Sequence, residues 1–205
     1  MAKSTQKSEV IDLPAMKIER LEITVIGDSP LITHKWSEKA KKAMLDKQMG
    51  KATQKKAPKD PEQDFADAIH RDADGDYAFP TIGFKAAAVT ACTSLDMTKV
   101  AARQTFHVDG EFVKIMGGDP IMREDMVRVG QGTADLRYRP EYTNWYATLK
   151  VTYNSSVMSA EQVINIFNVA GFGVGVGEWR PEKNGSNGRF HVGTIAEATE
   201  MGLAA

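Results

Sequence analysis

Gly171-Phe-Gly-Val-Gly-Val-Gly177-Glu-Trp-Arg-Pro-Glu-Lys-Asn-Gly-Ser-Asn-Gly188-Arg-Phe-His-Val192 is the stretch on which the reading of the fold turns. It carries six of the chain's 17 glycines. Just ahead of it, Ser159-Ala-Glu-Gln162 opens a helix, with Ser159 as N-cap and Gln162 at the capping-box position. Val163, Ile164, Ile166, Phe167 and Ala170 give that helix a broad apolar face, and Gly171 fits the left-handed position just past its end. Behind the stretch, Arg189 to Thr194 reads as a last strand. A long glycine-rich connection between helix and strand implies backbone that bends sharply or approaches something closely. Trp179, Arg180, Lys183 and Arg189 among the glycines suit a polyanion with exposed bases. A long loop anchored by its Trp is the plainer alternative.

Working outward, Trp145 to Tyr153 alternates apolar and polar side chains and predicts a half-buried strand. Asp125–Val129 and Leu136–Arg139 predict two more. In Phe106–Ile115, Asp109-Gly110 between two alternating runs predicts a hairpin with a tight turn. Residues 82–95 predict an apolar helix built on Phe84, Ala87, Ala88, Ala91 and Cys92, followed by a helical turn at 98–104. Near the start, Ile18–Ile26 predicts a strand broken at Gly27-Asp-Ser-Pro30, and 31–36 continues extended. Ser37 caps a helix running to about Met49. A lysine-rich linker and a short amphipathic helix at 61–71, bearing Phe65, Ala66 and Ile69, come next.

Without its insertions the order is strand, helix, strand, strand, helix, strand. That order predicts an α+β, ferredoxin-like (RRM-like) βαββαβ core, with an antiparallel sheet and both helices on one face. The insertions fall at about 35–76 and, as the β-hairpin, at about 105–116. A single domain is expected over 17–195, with a flexible arm at 1–16 and a tail at 196–205. The free sheet face is the one that meets RNA in RRM domains, but no RRM aromatic signature is present.

Composition narrows the function classes. The chain has 205 residues and a net charge of −1, so no global field marks it for a nucleic acid or a membrane. The charge is unevenly placed: residues 35–59 hold nine lysines against Glu38 and Asp46, and 60–76 hold seven acids against Arg71. The one cysteine, Cys92, sits in an alanine-rich run and reads as a small core residue in a reducing compartment. No apolar signal core and no long apolar run appear, so a cytoplasmic protein without membrane contact is expected.

Three segments carry a family resemblance. They are the strand Ile18–Ile26 running into Gly27-Asp-Ser-Pro-Leu-Ile, Phe79-Pro-Thr-Ile-Gly-Phe-Lys85-Ala-Ala, and the glycine stretch Gly171–Val192. In this order the chain resembles the RAMP superfamily, especially the backbone subunits of CRISPR effector complexes that coat guide RNA. It departs from that pattern where Gly83-Phe84 replaces a small hydroxyl residue before Lys85, and where Glu178-Trp-Arg-Pro interrupts the glycine loop. With these departures the resemblance implies a divergent relative, such as a phage-encoded one, rather than a standard effector subunit. The resemblance implies sequence-independent binding of single-stranded RNA by a head-to-tail filament. A phage protein using the same fold on single-stranded DNA would look alike.

The candidate nucleic-acid contacts follow. Backbone amides around Gly175 and Gly177, with Arg180, Lys183 and Arg189, would hold phosphates, while Trp179 would stack on a base. His34, Lys35 and Trp36, with Lys39 and Lys42, would extend the groove, unless they form only a solvated helix face. Lys85 near a helix start opposes the helix dipole, which an external phosphate would explain. Arg137 and Arg139 share one face of their strand, to grip phosphates or pair with acids such as Glu141. No metal site is expected. Asp72, Asp74 and Asp76 fail as a calcium loop because Tyr77 and Gly83 stand where a glycine and the closing glutamate belong. His34, His70, His107 and His191 lack ligand spacing. No nucleophile motif or cofactor signature appears.

The leading expectation is therefore a non-enzymatic protein that binds single-stranded nucleic acid, RNA preferred, and oligomerises along it. A phage structural or inhibitory protein acting through protein contacts is the alternative. A third is an endoribonuclease using Asp28, for which the sequence names no partner.

Overall fold

The fold is seen in a computed structural model that describes residues 15–51, 58–129 and 132–203. Its strands are β1 (Ile18–Gly27), β2 (Leu31–Ile32), β3 (Ala78–Pro80), β4 (Phe106–Val108), β5 (Phe112–Lys114), β6 (Ile121–Val129), β7 (Thr133–Tyr142), β8 (Tyr146–Asn154) and β9 (Phe190–Gly193). Its helices are α1 (Glu38–Gln48), α2 (Pro61–Ala68), α3 (Thr81–Ala91), α4 (Lys99–Thr105), α5 (Ala160–Gly173) and α6 (Ile195–Glu200). The class is α+β with antiparallel sheets. The main sheet has the order β4-β8-β1-β9, β2-β7-β6 form a second sheet, and β3-β5 form a two-stranded ribbon.

The alternation in β8 places Ala147, Leu149, Val151 and Tyr153 on the buried face, beside Ile23 and Val25 of β1. Helices α3 and α5 cover that face. The capping box at Ser159 and Gln162 starts α5, and Val163, Ile166, Phe167 and Ala170 point inward. Ala87, Ala88 and Ala91 keep α3 slim enough to pack closely beside α5. Phe84, Phe106, Phe167 and Phe190 are buried to 1% exposure or less, and each such ring contributes roughly 2–3 kcal/mol of burial free energy. Cys92 lies in the same core. The opposite face carries Arg20, Glu22, Thr24, Thr148, Lys150 and Thr152, with Tyr146 at one end as its aromatic residue on β8.

Several expectations need correction. Phe106–Ile115 is not a hairpin. β4 pairs with β8 and β5 pairs with β3, so the two runs belong to different sheets. Gly110, at φ +83, turns the chain between them, while the Asp109 carboxylate and amide are held by Thr152 and the Lys150 carbonyl. The strands expected at 125–129 and 136–139 are both present, but each is longer and they pair with each other as one hairpin, β6–β7. Gly171 lies inside α5 rather than past its end. A Cβ there would stand 1.8 Å from the Phe190 carbonyl oxygen, so its role is close approach of helix to strand. Gly175, at φ +70, takes the left-handed position instead. The tail from 196 is no appendage, because Ala198 of α6 is buried against the sheet. Most of the expected arm (residues 1–14) and much of the lysine linker (52–57) lie outside the described residues. No described helix is long and apolar enough to cross a membrane.

Candidate nucleic-acid interface

The β6–β7 hairpin is where separately read segments meet. Its register sets Arg123 opposite Arg139 and Asp125 opposite Arg137, with Ile121 opposite Glu141, so these side chains share one face. Asp125 is the anchor. Its Oδ2 accepts from Arg139 Nη1 at 2.9 Å and from Trp179 Nε1 at 3.2 Å, and its Oδ1 accepts from Arg123 Nε at 2.9 Å. Burial alone would raise the Asp125 pKa. The hydrogen bonds from Arg139, Arg123 and Trp179 outweigh it and hold the carboxyl below its usual value. Arg123 also reaches Glu141, and Arg139 approaches Glu178 at 3.8 Å.

Next along this face, Arg137 Nη1 lies 3.3 Å from His34 Nε2. A guanidinium only donates, so Nε2 accepts and the ring proton sits on Nδ1. Burial, then Arg139 and Arg137, depress the His34 pKa and keep the ring neutral. Burial followed by Lys35 and His34 lowers nearby His70 to about 4. A pocket of about 250 Å³ opens here, lined among others by His34, Lys35, Trp36, Lys59, Arg137 and Tyr138. Asp64, Asp67 and Asp135 also line it, so its charge is mixed. Trp36 is 50% exposed and Trp179 is 43% exposed. A continuous strip therefore runs Trp36, His34, Arg137, Asp125, Trp179, with an exposed indole at each end.

Among the described residues, four buried side-chain polar atoms have no partner: Thr33 Oγ1, His34 Nδ1, Arg139 Nε and Tyr142 OH. All four belong to β7 or to the segment running on from β2, which pairs with it. Buried polar groups are normally satisfied, so this junction is the least settled polar region of the described fold.

The glycine loop differs from its sequence reading. Its amides were expected to face phosphates, yet Gly175 donates to Ala170, Val176 to Gly188, Glu178 to Ile32, Gly185 to Arg180 and Gly188 to Pro30. A Cβ at Gly177 would meet the Ile32 carbonyl at 2.4 Å, and one at Gly188 the Val176 carbonyl at 1.8 Å. These glycines let backbone lie on backbone. Arg180 is held by Glu182 and the Gly177 carbonyl. Lys183 is exposed in a short 3-10 turn, and Arg189 Nε donates to the Ser186 carbonyl. Arg139 must also be corrected as a free phosphate contact: it is 4% exposed and bound to Asp125.

Lys39 and Lys42 lie on α1, which buries none of its residues. Lys85 Nζ sits 2.8 Å from His107 Nδ1 at the β4 edge of the main sheet, away from the residues lining the pocket. Asp28 does have a partner: its Oδ1 is 2.6 Å from His191 Nδ1, while Glu197 occupies the other ring nitrogen at 3.2 Å. Both ring nitrogens thus have a carboxylate partner. Asp72 closes a turn by accepting the amides of Asp74 and Asp76.

Sequence reasoning missed Asp125, Arg123 and Glu178. The signal was present, because reading 121–142 as one hairpin would have set Arg123 and Asp125 across from Arg139 and Arg137. No protein-family model matches the chain, and no curated protein sequence is significantly similar to it.

Proposed function

We propose that this chain binds single-stranded nucleic acid, RNA preferred, without catalysis and largely without regard to sequence, and that it assembles head-to-tail along the strand. The carrying observation is the strip with exposed Trp36 and Trp179 at its ends and Arg137 with His34 between them. Indole faces take any base, and a guanidinium between them suits the linking phosphate. Lys35 lines the pocket beside the strip, and the lysine-rich helix α1 starts two residues after Trp36. The near-neutral net charge accords with a local groove rather than a basic surface.

The resemblance to RAMP proteins supports the same reading. The order β1, α3, β4, β8, α5, β9 in the antiparallel sheet β4-β8-β1-β9 is what a ferredoxin-like βαββαβ core requires, and we read the main sheet as such a core.

Replacing Trp36 and Trp179 together with alanine tests the site. Stacking is worth ~1–3 kcal/mol per base, so affinity for a labelled uridine oligomer should fall at least about fivefold. Unchanged affinity in a folded double variant removes the strip from the binding site. Gel filtration with and without the oligomer tests assembly, and a monomer under both conditions ends the filament reading.

A second reading, protein–protein contact without nucleic acid, is favoured by exposed apolar side chains. Met44 and Leu45 lie on α1 with Met49 as its C-cap, and Ile121, Met122 and Met126 lie on β6. It predicts oligomers in the absence of oligonucleotide and no salt-dependent shift with it.

A further inference from the structure

On the main-sheet face turned away from α3 and α5, residues 194–203 fold back over β1 and β8. Thr194 caps α6 by accepting the Glu197 amide. Ala198 is fully buried against Ile26 and Tyr146, with Met116 and Leu203 completing the cluster. The Leu203 amide closes the segment onto the Ala198 carbonyl. This apolar contact is small, and an ionic one accompanies it. His191 of β9 places Nδ1 2.6 Å from Asp28 Oδ1 and Nε2 3.2 Å from Glu197 Oε1. Glu197 also lies over Gly193, where a Cβ would come within 2.5 Å of Oε2.

An imidazole between two carboxylates can donate to both only as the imidazolium. The neutral ring carries one proton, so its other nitrogen turns a lone pair toward a carboxylate. The surrounding groups are few. Asp28 comes from the turn after β1 and Glu197 from α6. Arg189, upstream of β9, is directed to the Ser186 carbonyl, and the Tyr146 side chain of β8 lies across Ile26.

We propose that residues 194–203 are a strap over the sheet, latched by the His191 imidazolium and loosened when that ring loses its proton, which uncovers Ile26 and Tyr146. Burial opposes the charged ring, but Asp28 and Glu197 outweigh it and raise the pKa above its ordinary value of 6.5. A raised folded-state pKa gives a stabilisation that is complete below the unfolded value. It is lost as pH rises through the folded value. The strap therefore holds in mild acid and loosens on the alkaline side. None of this depends on the nucleic-acid reading.

Amide hydrogen exchange at Ala198, Met201 and Leu203 of the full chain, corrected for intrinsic rates, tests the strap between about pH 6 and pH 9. Protection should fall across this window as the ring loses its proton. His191→Gln should give low and pH-independent protection. Glu197→Gln provides a second, milder variant, because an amide can both donate and accept at the ring and so removes most of the fall. Protection that stays flat in the unmodified protein overturns the proposal. So does a fall of undiminished size in Glu197→Gln.

Discussion

The glycine loop from 171 to 188 and the lysine helix α1 exchange the roles that their compositions suggest. The loop is rich in the most permissive residue, yet it is knitted to itself and to β2 through backbone hydrogen bonds. Four of its glycines have carbonyl groups where a side chain would begin. Helix α1 has good helix formers, a Ser37 cap and a Lys41–Glu38 pair, yet none of its residues is buried. Glycine frees backbone to pack against backbone, whereas a run of like charges gives a helix nothing to pack with. Here glycine content reads as closeness and lysine content as solvation.

The contrast can be broken in four ways. Asp125→Ala should have the largest effect, because it leaves buried Arg139 without its main partner and frees Trp179, which ties the loop to the hairpin. A loss of about 3–5 kcal/mol in urea unfolding is expected, and a loss under 1 kcal/mol would mean that the loop holds without the hairpin. Gly188→Ala should cost about 3 kcal/mol by the same measure, from a positive φ plus overpacking on the Val176 carbonyl. If it is neutral, the loop is as open as its composition first suggests.

Acidification tests the boundary where α1 joins the body. His70 is held neutral with a pKa of about 4. A depressed histidine contributes stability that is present above the unfolded value near 6.5 and lost as pH falls toward 4. The expected loss is about 2 kcal/mol, reduced from the full shift because the ring is partly solvated, and His70→Gln should remove this slope. The smallest effect belongs to α1 itself. Lys39→Ala with Lys42→Ala should change stability by less than about 0.5 kcal/mol, while lessening the salt dependence of any oligonucleotide binding. A larger loss of stability would show that α1 is packed after all.

Much of the main sheet was legible because its signals are local. The alternation of β8, the capping box of α5 and the break after β1 each sit within a few residues. The errors arose where a segment's partner is distant in sequence. Asp109-Gly110 looks like a hairpin turn, but β4 finds β8 and β5 finds β3, and nothing in residues 106–115 reports those strands. The site followed the same rule. Trp36, Trp179 and Arg137 were recognisable one at a time by residue type. Their convergence rests on Asp125, an unremarked acid inside a strand, and becomes visible only with the β6–β7 register. Arg139 looked available because burial cannot be read from a side chain's charge.

The central pair of strands has a consequence for the order of events during synthesis. β1 pairs with β8 from Ile18↔Asn154 onward, so the first strand leaves the ribosome long before its partner exists, at translation rates of roughly 5–20 residues per second. The circuit from Ala78 to Lys114 has no such delay. Its two ends pair with each other in β3 and β5, and Thr81 fastens them through the Gly110 and Glu111 carbonyls. A nascent chain can close this circuit, with α3 and α4 inside it, while β1 is still waiting. Glu19, Arg20 and Glu22 put charge along that strand, which disfavours edge-to-edge pairing with others of its kind.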